Sequence, residues 1–255
     1  MEESTPLVRL LTADEFFAAE TVESLPVPHL GIGPGPVTGV VGQTYAGKSI
    51  TTCSLGISIA TGKPLWGTWR VQQGVWLHTD YEQGRRQTKK LIHRLARGQG
   101  VSDEELRALI ACGTIRIAIL PDLRLTTDKA TEHFRRLFEG VRMVTCDSLR
   151  PMLGGVDENS SQVRGYMDAL SSASEASGAT VTLIHHGGKT PVDGSARTRK
   201  EMSRGSSAII DEFQTMLVLS KKKGDPVTLV SHEKDRALGG TVDDLVFALK
   251  TCRRP

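Results

Sequence analysis

Cysteine is scarce in this chain, and its placement excludes several classes of protein. Of 255 residues four are cysteines, Cys53, Cys112, Cys146 and Cys252, and none has the short paired spacing of a zinc or redox site. Cys53 and Cys146 lie inside apolar runs and are expected to be small buried thiols. No disulfide framework follows, so a reducing, cytoplasmic setting is expected. No apolar run approaches the roughly 18 residues a membrane span requires. No basic stretch leads into an apolar one at the N-terminus, so a signal peptide is not expected. Internal repeats and low-complexity segments are also missing, which argues against solenoids and fibrous arrays. Excess charge is small: a formal +3 and a pI near 8.7 permit a polyanionic partner without requiring one.

What is present is ordinary globular material, 38% hydrophobic and 24% charged, in a length that suits one large domain. Residues 1–30 combine a short amphipathic stretch, Leu7 to Glu20, with the Pro-rich "LPVPHLGIGPGP", and are expected to form an arm or linker outside the core. From residue 31 to 255, strand-like and helix-like runs alternate. Strands are predicted over 37–41, 75–80, 114–120, 141–148, 179–186, 215–220, 227–232 and 242–249, most of them short and β-branched, as strands buried on both faces are. Helices are predicted over 49–61, 84–97, from Ser102 with Glu105 completing a capping box, and over 127–138 and 159–177. Gly62 is a candidate C-cap. This alternation predicts an α/β fold, a mostly parallel twisted sheet flanked by helices. The last three strands, with little helix between them, are expected to extend one edge antiparallel.

One segment carries specific chemistry. Gly42-Gln43-Thr44-Tyr45-Ala46-Gly47-Lys48-Ser49 satisfies GxxxxGKS between a predicted strand and a predicted helix that continues through Ile50, the context that makes this motif credible. Glycines let backbone amides turn inward onto phosphate oxygens, and the helix adds its unpaired first-turn amides. Lys48 would reach the β- and γ-phosphates, and Ser49 would ligate Mg²⁺. The competing reading is a strand–turn–helix corner with an exposed lysine. ATP is preferred over GTP because no guanine-reading Asn-Lys-x-Asp segment appears.

"RMVTCDSL" places Asp147 at the end of an apolar strand, where a carboxylate is costly unless paired. Beside a phosphate cradle its partner would be the hydrated metal, making Asp147 a second metal-side residue. "VWLHTDYEQG" ends another strand with Asp80 and Glu82, which strand alternation sends to one side. Either could orient and deprotonate water; Glu82, farther past the strand end, is preferred and Asp80 is the runner-up. Each could equally be a solvated loop acid.

Together with "TLIHHGGK", "RGSSAI" and "HEKDR", in this order, these segments resemble the RecA-like ATPases related to RepA-type hexameric replicative helicases, a branch near DnaB, RecA and KaiC. The resemblance runs from about Gly31 to Leu249. It implies a RecA-like P-loop NTPase core, ATP and Mg²⁺ as ligands, Glu82 as catalytic glutamate, and His186 (rather than His185) as the polar γ-phosphate sensor. It also implies that Lys234 and Arg236 reach the neighbouring subunit's nucleotide in a homo-oligomer, favouring a hexamer, and that the loop bearing Lys189, Arg197, Arg199, Lys200 and Arg204 grips single-stranded DNA. That loop lacks aromatics for base stacking, so contact with the backbone is expected. Arg86, Lys90, Arg94 and Arg97 fall at helical spacing and are expected to form a solvated face. Tyr45 departs from the small residues common in such loops and is expected to alter packing around the nucleotide. The resemblance also admits a KaiC-like ATP-switched interaction module.

Overall fold

The computed structural model describes residues 10, 12–17, 25–187, 207–221, 227–235 and 245–248. An eight-stranded sheet forms its centre, ordered β3-β2-β4-β5-β1-β6-β7-β8. The strands are β1 (Thr38–Gly42), β2 (Trp76–Asp80), β3 (Ile115–Ile119), β4 (Met143–Asp147), β5 (Thr180–His186), β6 (Thr215–Ser220), β7 (Val227–Asp235) and β8 (Leu245–Ala248). The helices are α1 (Ala13–Phe17), α2 (Lys48–Thr61), α3 (Arg85–Gly98), α4 (Asp103–Ala111), α5 (Ala130–Phe138), α6 (Leu149–Met152), α7 (Gln162–Ser177) and α8 (Ser207–Glu212).

The pairings from β3 through β6 along the sheet are parallel. The β6–β7 and β7–β8 pairings are antiparallel, so β7 runs against the other described strands. The last three strands extend this edge antiparallel, as expected, and β6 joins it to the parallel sheet by pairing parallel with β1, Thr38 facing Thr215. The short apolar run that forms β6 is compatible with either direction, and only the connection before it decides.

Alternation along the strands divides the core between the sheet's two faces. Leu77, Val144, Val181, Leu183 and Val218 pack on one face with Phe134 and Phe138 of α5 and Met167 and Leu170 of α7. Trp76, Met143, Ile184, Leu217 and Leu219 pack on the other with Ile57 and Ile59 of α2 and Ile92 of α3. Helix α2 lies close to the sheet because Gly56 has no side chain; a Cβ there would meet Trp76 Cε2 at 2.0 Å. Gly62 does cap α2, left-handed at φ 71°, its amide donating to Ser58 O. Ser102 caps α4 by accepting from Glu105 N at 3.0 Å. The other half of the expected capping box is absent, because the Glu105 carboxylate pairs with Lys63 at 3.5 Å.

The N-terminal boundary differs from expectation. Val27 and Leu30 are wholly buried and belong to the α2-side core with Ile32. The Pro-rich segment folds back on itself, Val27 pairing with Ile32, and Pro26 O accepts from Gln72 N at 3.0 Å. Residues 25–30 are thus part of the domain, whereas α1 leaves Phe16 and Phe17 exposed. Cys53 and Cys146 are buried, as expected. No helix among the described residues is long and apolar enough to cross a membrane.

Candidate nucleotide-binding site

Parallel strands ending at one rim deliver their C-terminal residues to a common place, and α2 begins there. The loop from β1 to α2 turns sharply: Tyr45 and Gly47 both have positive φ, at 66° and 99°. Gly42 tolerates no side chain, since a Cβ would sit 2.5 Å from Leu219 O. Gly47 is the N-cap of α2 and supplies no side-chain cap. The first-turn amides of α2 therefore carry the positive end of a helix dipole toward the loop, a ready anion site.

Lys48 is buried at the loop's base, its Nζ donating to Gly42 O and Gln43 O, each at 2.8 Å. Burial lowers its pKa to about 8, against the opposing pull of Asp147 and Glu82. An ammonium so placed gains from any further negative charge brought to the loop. Tyr45 is 93% exposed on the loop.

Ser49 Oγ donates to Asp147 Oδ2 at 2.6 Å. Asp147 is 3% exposed; burial pushes its carboxyl up, and the hydrogen bonds from Ser49 and Gln83 oppose that. Gln83 donates from Nε2 to both Asp147 Oδ2, at 2.9 Å, and Ser49 Oγ, at 3.2 Å. Sequence reading did not single out Gln83, although it lies inside the "DYEQG" segment. Two hard oxygen donors, fixed by a neutral amide, fit a hydrated divalent cation that takes one or two protein ligands. No cluster of three or more His, Cys, Asp or Glu gathers for a metal among the described residues.

The two candidate bases separate clearly. Asp80 is wholly buried and accepts from Glu82 N at 2.9 Å, Gln83 N at 2.7 Å and Thr88 Oγ1. Burial raises its carboxyl, but those hydrogen bonds outweigh burial and hold it below the ordinary carboxylate value. Asp80 is a loop anchor with its oxygens occupied. Glu82, carried by that anchored loop, has a side chain 49% exposed. Its Oε2 accepts from Ser148 Oγ at 2.9 Å and lies 3.3 Å from His186 Nε2. His186 pairs in register with Gly42 across β5 and β1, and Val41 with the buried His185.

Lys48, Ser49, Gln83, Asp147, Glu82 and His186 thus converge. Lys234 does not: its Nζ donates to Ile210 O and Asp211 O of its own chain, at 3.0 and 2.9 Å. Arg236, Lys189, Arg197, Arg199, Lys200 and Arg204 lie outside the described residues. Arg86, Lys90, Arg94 and Arg97 are exposed on α3, as expected of a solvated face. A cavity of about 750 Å³ opens beside them between α2 and α3, lined by Ile50, Trp66, Leu91, Arg94 and Leu95 among others. It meets the phosphate loop's end only at Ile50.

Residues 5–192 match the family model described as AAA domain. This chain belongs to that family. Solved structures similar to this AAA domain share its fold. The crystal structure of the RadB recombinase superposes with a TM-score of 0.59 at 16% identity, covering 86% of this chain and 90% of that one. The flagellar accessory protein FlaH from Methanocaldococcus jannaschii gives 0.54 at 14%, covering 86% and 88%. A further solved ATPase domain gives 0.58 at 16%, covering 84% and 81%. The resemblance to RecA-like P-loop ATPases is borne out in family and fold.

Proposed function

We propose that this AAA domain is a Mg²⁺-dependent ATP hydrolase of the RecA-like helicase type, working as an oligomeric ring, hexameric by preference, on single-stranded DNA in replication or recombination. The observation that supports it most is the convergence of Lys48, Ser49, Asp147 and Glu82 at one rim, where Lys48 donates to Gly42 O, Ser49 to Asp147 and Ser148 to Glu82. ATP would lie with its phosphates on the amides of residues 43–50 and Lys48 against the β- and γ-phosphates. Ser49 and Asp147 would hold Mg²⁺, which supplies charge neutralisation on the phosphate oxygens. Glu82 would orient and deprotonate the attacking water, and His186, beside it, would face the γ-phosphate. Because Lys234 is engaged within its own chain, Arg236 is the preferred residue to reach a neighbour's nucleotide, a role worth about 10³ to 10⁵ in rate. Lys189, Arg197, Arg199, Lys200 and Arg204 would grip the strand through its phosphates.

The test is ATPase activity with and without single-stranded oligonucleotides over a salt series, combined with sizing in ATP. Stimulation that falls steeply with salt, together with nucleotide-dependent assembly, supports the motor. A second reading, an ATP-switched interaction module, is favoured by the similarity to a flagellar accessory protein. It predicts slow hydrolysis indifferent to any nucleic acid.

A further inference from the structure

Ser148 begins a helix without capping it. It is the N-cap of α6, with extended backbone at φ −135° and ψ 176°. A serine there ordinarily turns its oxygen back onto an amide of the first turn. Ser148 makes no such bond. Its hydroxyl, in a wholly buried residue, donates instead to Glu82 Oε2 at 2.9 Å.

We infer that Ser148 is a positioning residue that aims the carboxylate of Glu82 at the attacking water; this rests on Glu82 being the base. Asp80 already fixes the main chain of Glu82 through the amides of residues 82 and 83. The glutamate side chain beyond that anchor has three rotatable bonds and is half-exposed, so main-chain anchoring alone leaves its carboxylate free to swing. His186 approaches the same oxygen, but its own side chain is 36% exposed. Ser148 is the rigid contact. With Oε2 held there, Oε1 is the oxygen left to accept from a water. Ser148 is also joined by one peptide bond to Asp147, the carboxylate that faces Ser49. A single dipeptide therefore sets the spacing between the metal-side group and the base. Such spacing matters because a misplacement of about 1 Å can cost about 10²-fold in rate.

The experiment uses the full chain and reads kcat, KM for ATP and affinity for a fluorescent ATP analogue. Ser148→Ala should lower kcat about 10- to 100-fold while KM and analogue affinity stay within about twofold. Ser148→Thr, which keeps the hydroxyl, should restore most of the loss. In a Glu82→Gln background Ser148→Ala should cost nothing further, because it acts only through Glu82. Wild-type turnover by Ser148→Ala overturns the inference, as does an equal loss of binding and rate, or additive losses in the double variant. Should Ser148→Ala fail to fold, Ser148→Cys decides, with similar volume and a weaker donor: a folded, fully active Ser148→Cys overturns the inference and a slow one supports it. Glu82→Gln turning over at the wild-type rate would instead remove the base assignment itself. A normal Glu82→Gln loss beside a silent Ser148→Ala removes only the positioning role.

Discussion

Ser49 and Asp147 stand ninety-eight positions apart in the chain and 2.6 Å apart in space. Their contact requires β1 and β4 to end at the same rim, two strands apart with β5 between them, and α2 to start where β1 stops. Lys48, next to Ser49, should be indispensable to that arrangement's ligand. Lys48→Ala is expected to weaken Mg-ATP binding at least about 100-fold, since charge-assisted bonds to phosphate contribute about 1.5–3 kcal/mol each. Titration calorimetry checks this.

Glu82→Gln and Asp80→Asn should fail in different ways. The first is expected to keep ATP affinity and lose about 10² to 10⁴ in turnover, the usual contribution of a positioned base. The second should unfold more easily, because Asp80 accepts two amides and the Thr88 hydroxyl, each loss worth about 1–3 kcal/mol when buried. Parallel ATPase assays and urea melts separate them. A catalytically dead but fully stable Asp80→Asn would reverse the assignment.

Gln83 holds both Ser49 and Asp147 in place. Gln83→Ala should raise the Mg²⁺ concentration needed for half-maximal ATPase about 10-fold, as loss of an orienting partner commonly does. Magnesium titrations at saturating ATP provide the measurement, and an unchanged midpoint would contradict this role.

His78 should make the fold acid-sensitive. It is 1% exposed, its Nδ1 lies 2.8 Å from Thr145 Oγ1, and burial lowers its pKa from 6.5 to about 4 despite the nearby Asp80. The unfolded chain then binds the proton more readily than the native one between those values. Stability from a neutral His78 is present above pH 6.5 and lost as pH falls toward 4. Relative to His78→Gln, the wild type should lose up to about 3 kcal/mol over that window. Urea melts at successive pH values test the difference.

Gly56→Ala should be poorly tolerated although alanine favours helices. The added Cβ would meet the Trp76 ring at 2.0 Å, and Trp76 is itself held by its Nε1 donating to Thr145 Oγ1 at 3.0 Å. Overpacking of this kind costs about 1–3 kcal/mol. A thermal melt lower than wild type is the expected result.

Much of this was legible beforehand because it depends on local pattern. GxxxxGKS with its flanks, Asp147 closing an apolar run and Gly62 ending a helix are each set by neighbours in sequence. What escaped depends on partners far along the chain. That β6 also joins the parallel sheet beside β1 depends on the chain before it rather than on its own residues. Val27 and Leu30 read as linker because prolines and glycines surround them, yet they fill space beside α2. Asp80 and Glu82 carry similar side chains on the same side of one strand end. Only the amides and hydroxyl closing over Asp80 distinguish anchor from candidate base. Gln83 is invisible to a search for charged groups, since its contribution is a neutral amide.

The sheet also has a quiet side. With β1 to β6 parallel, Lys48, Ser49, Glu82, Gln83, Asp147 and His186 gather where those strands finish, while the turns entering them lie opposite. Gly140, before β4, and Gly178, before β5, face open space there. A reporter peptide or affinity handle grafted into either turn should leave the chemistry undisturbed, offering a way to watch or immobilise the protein at work.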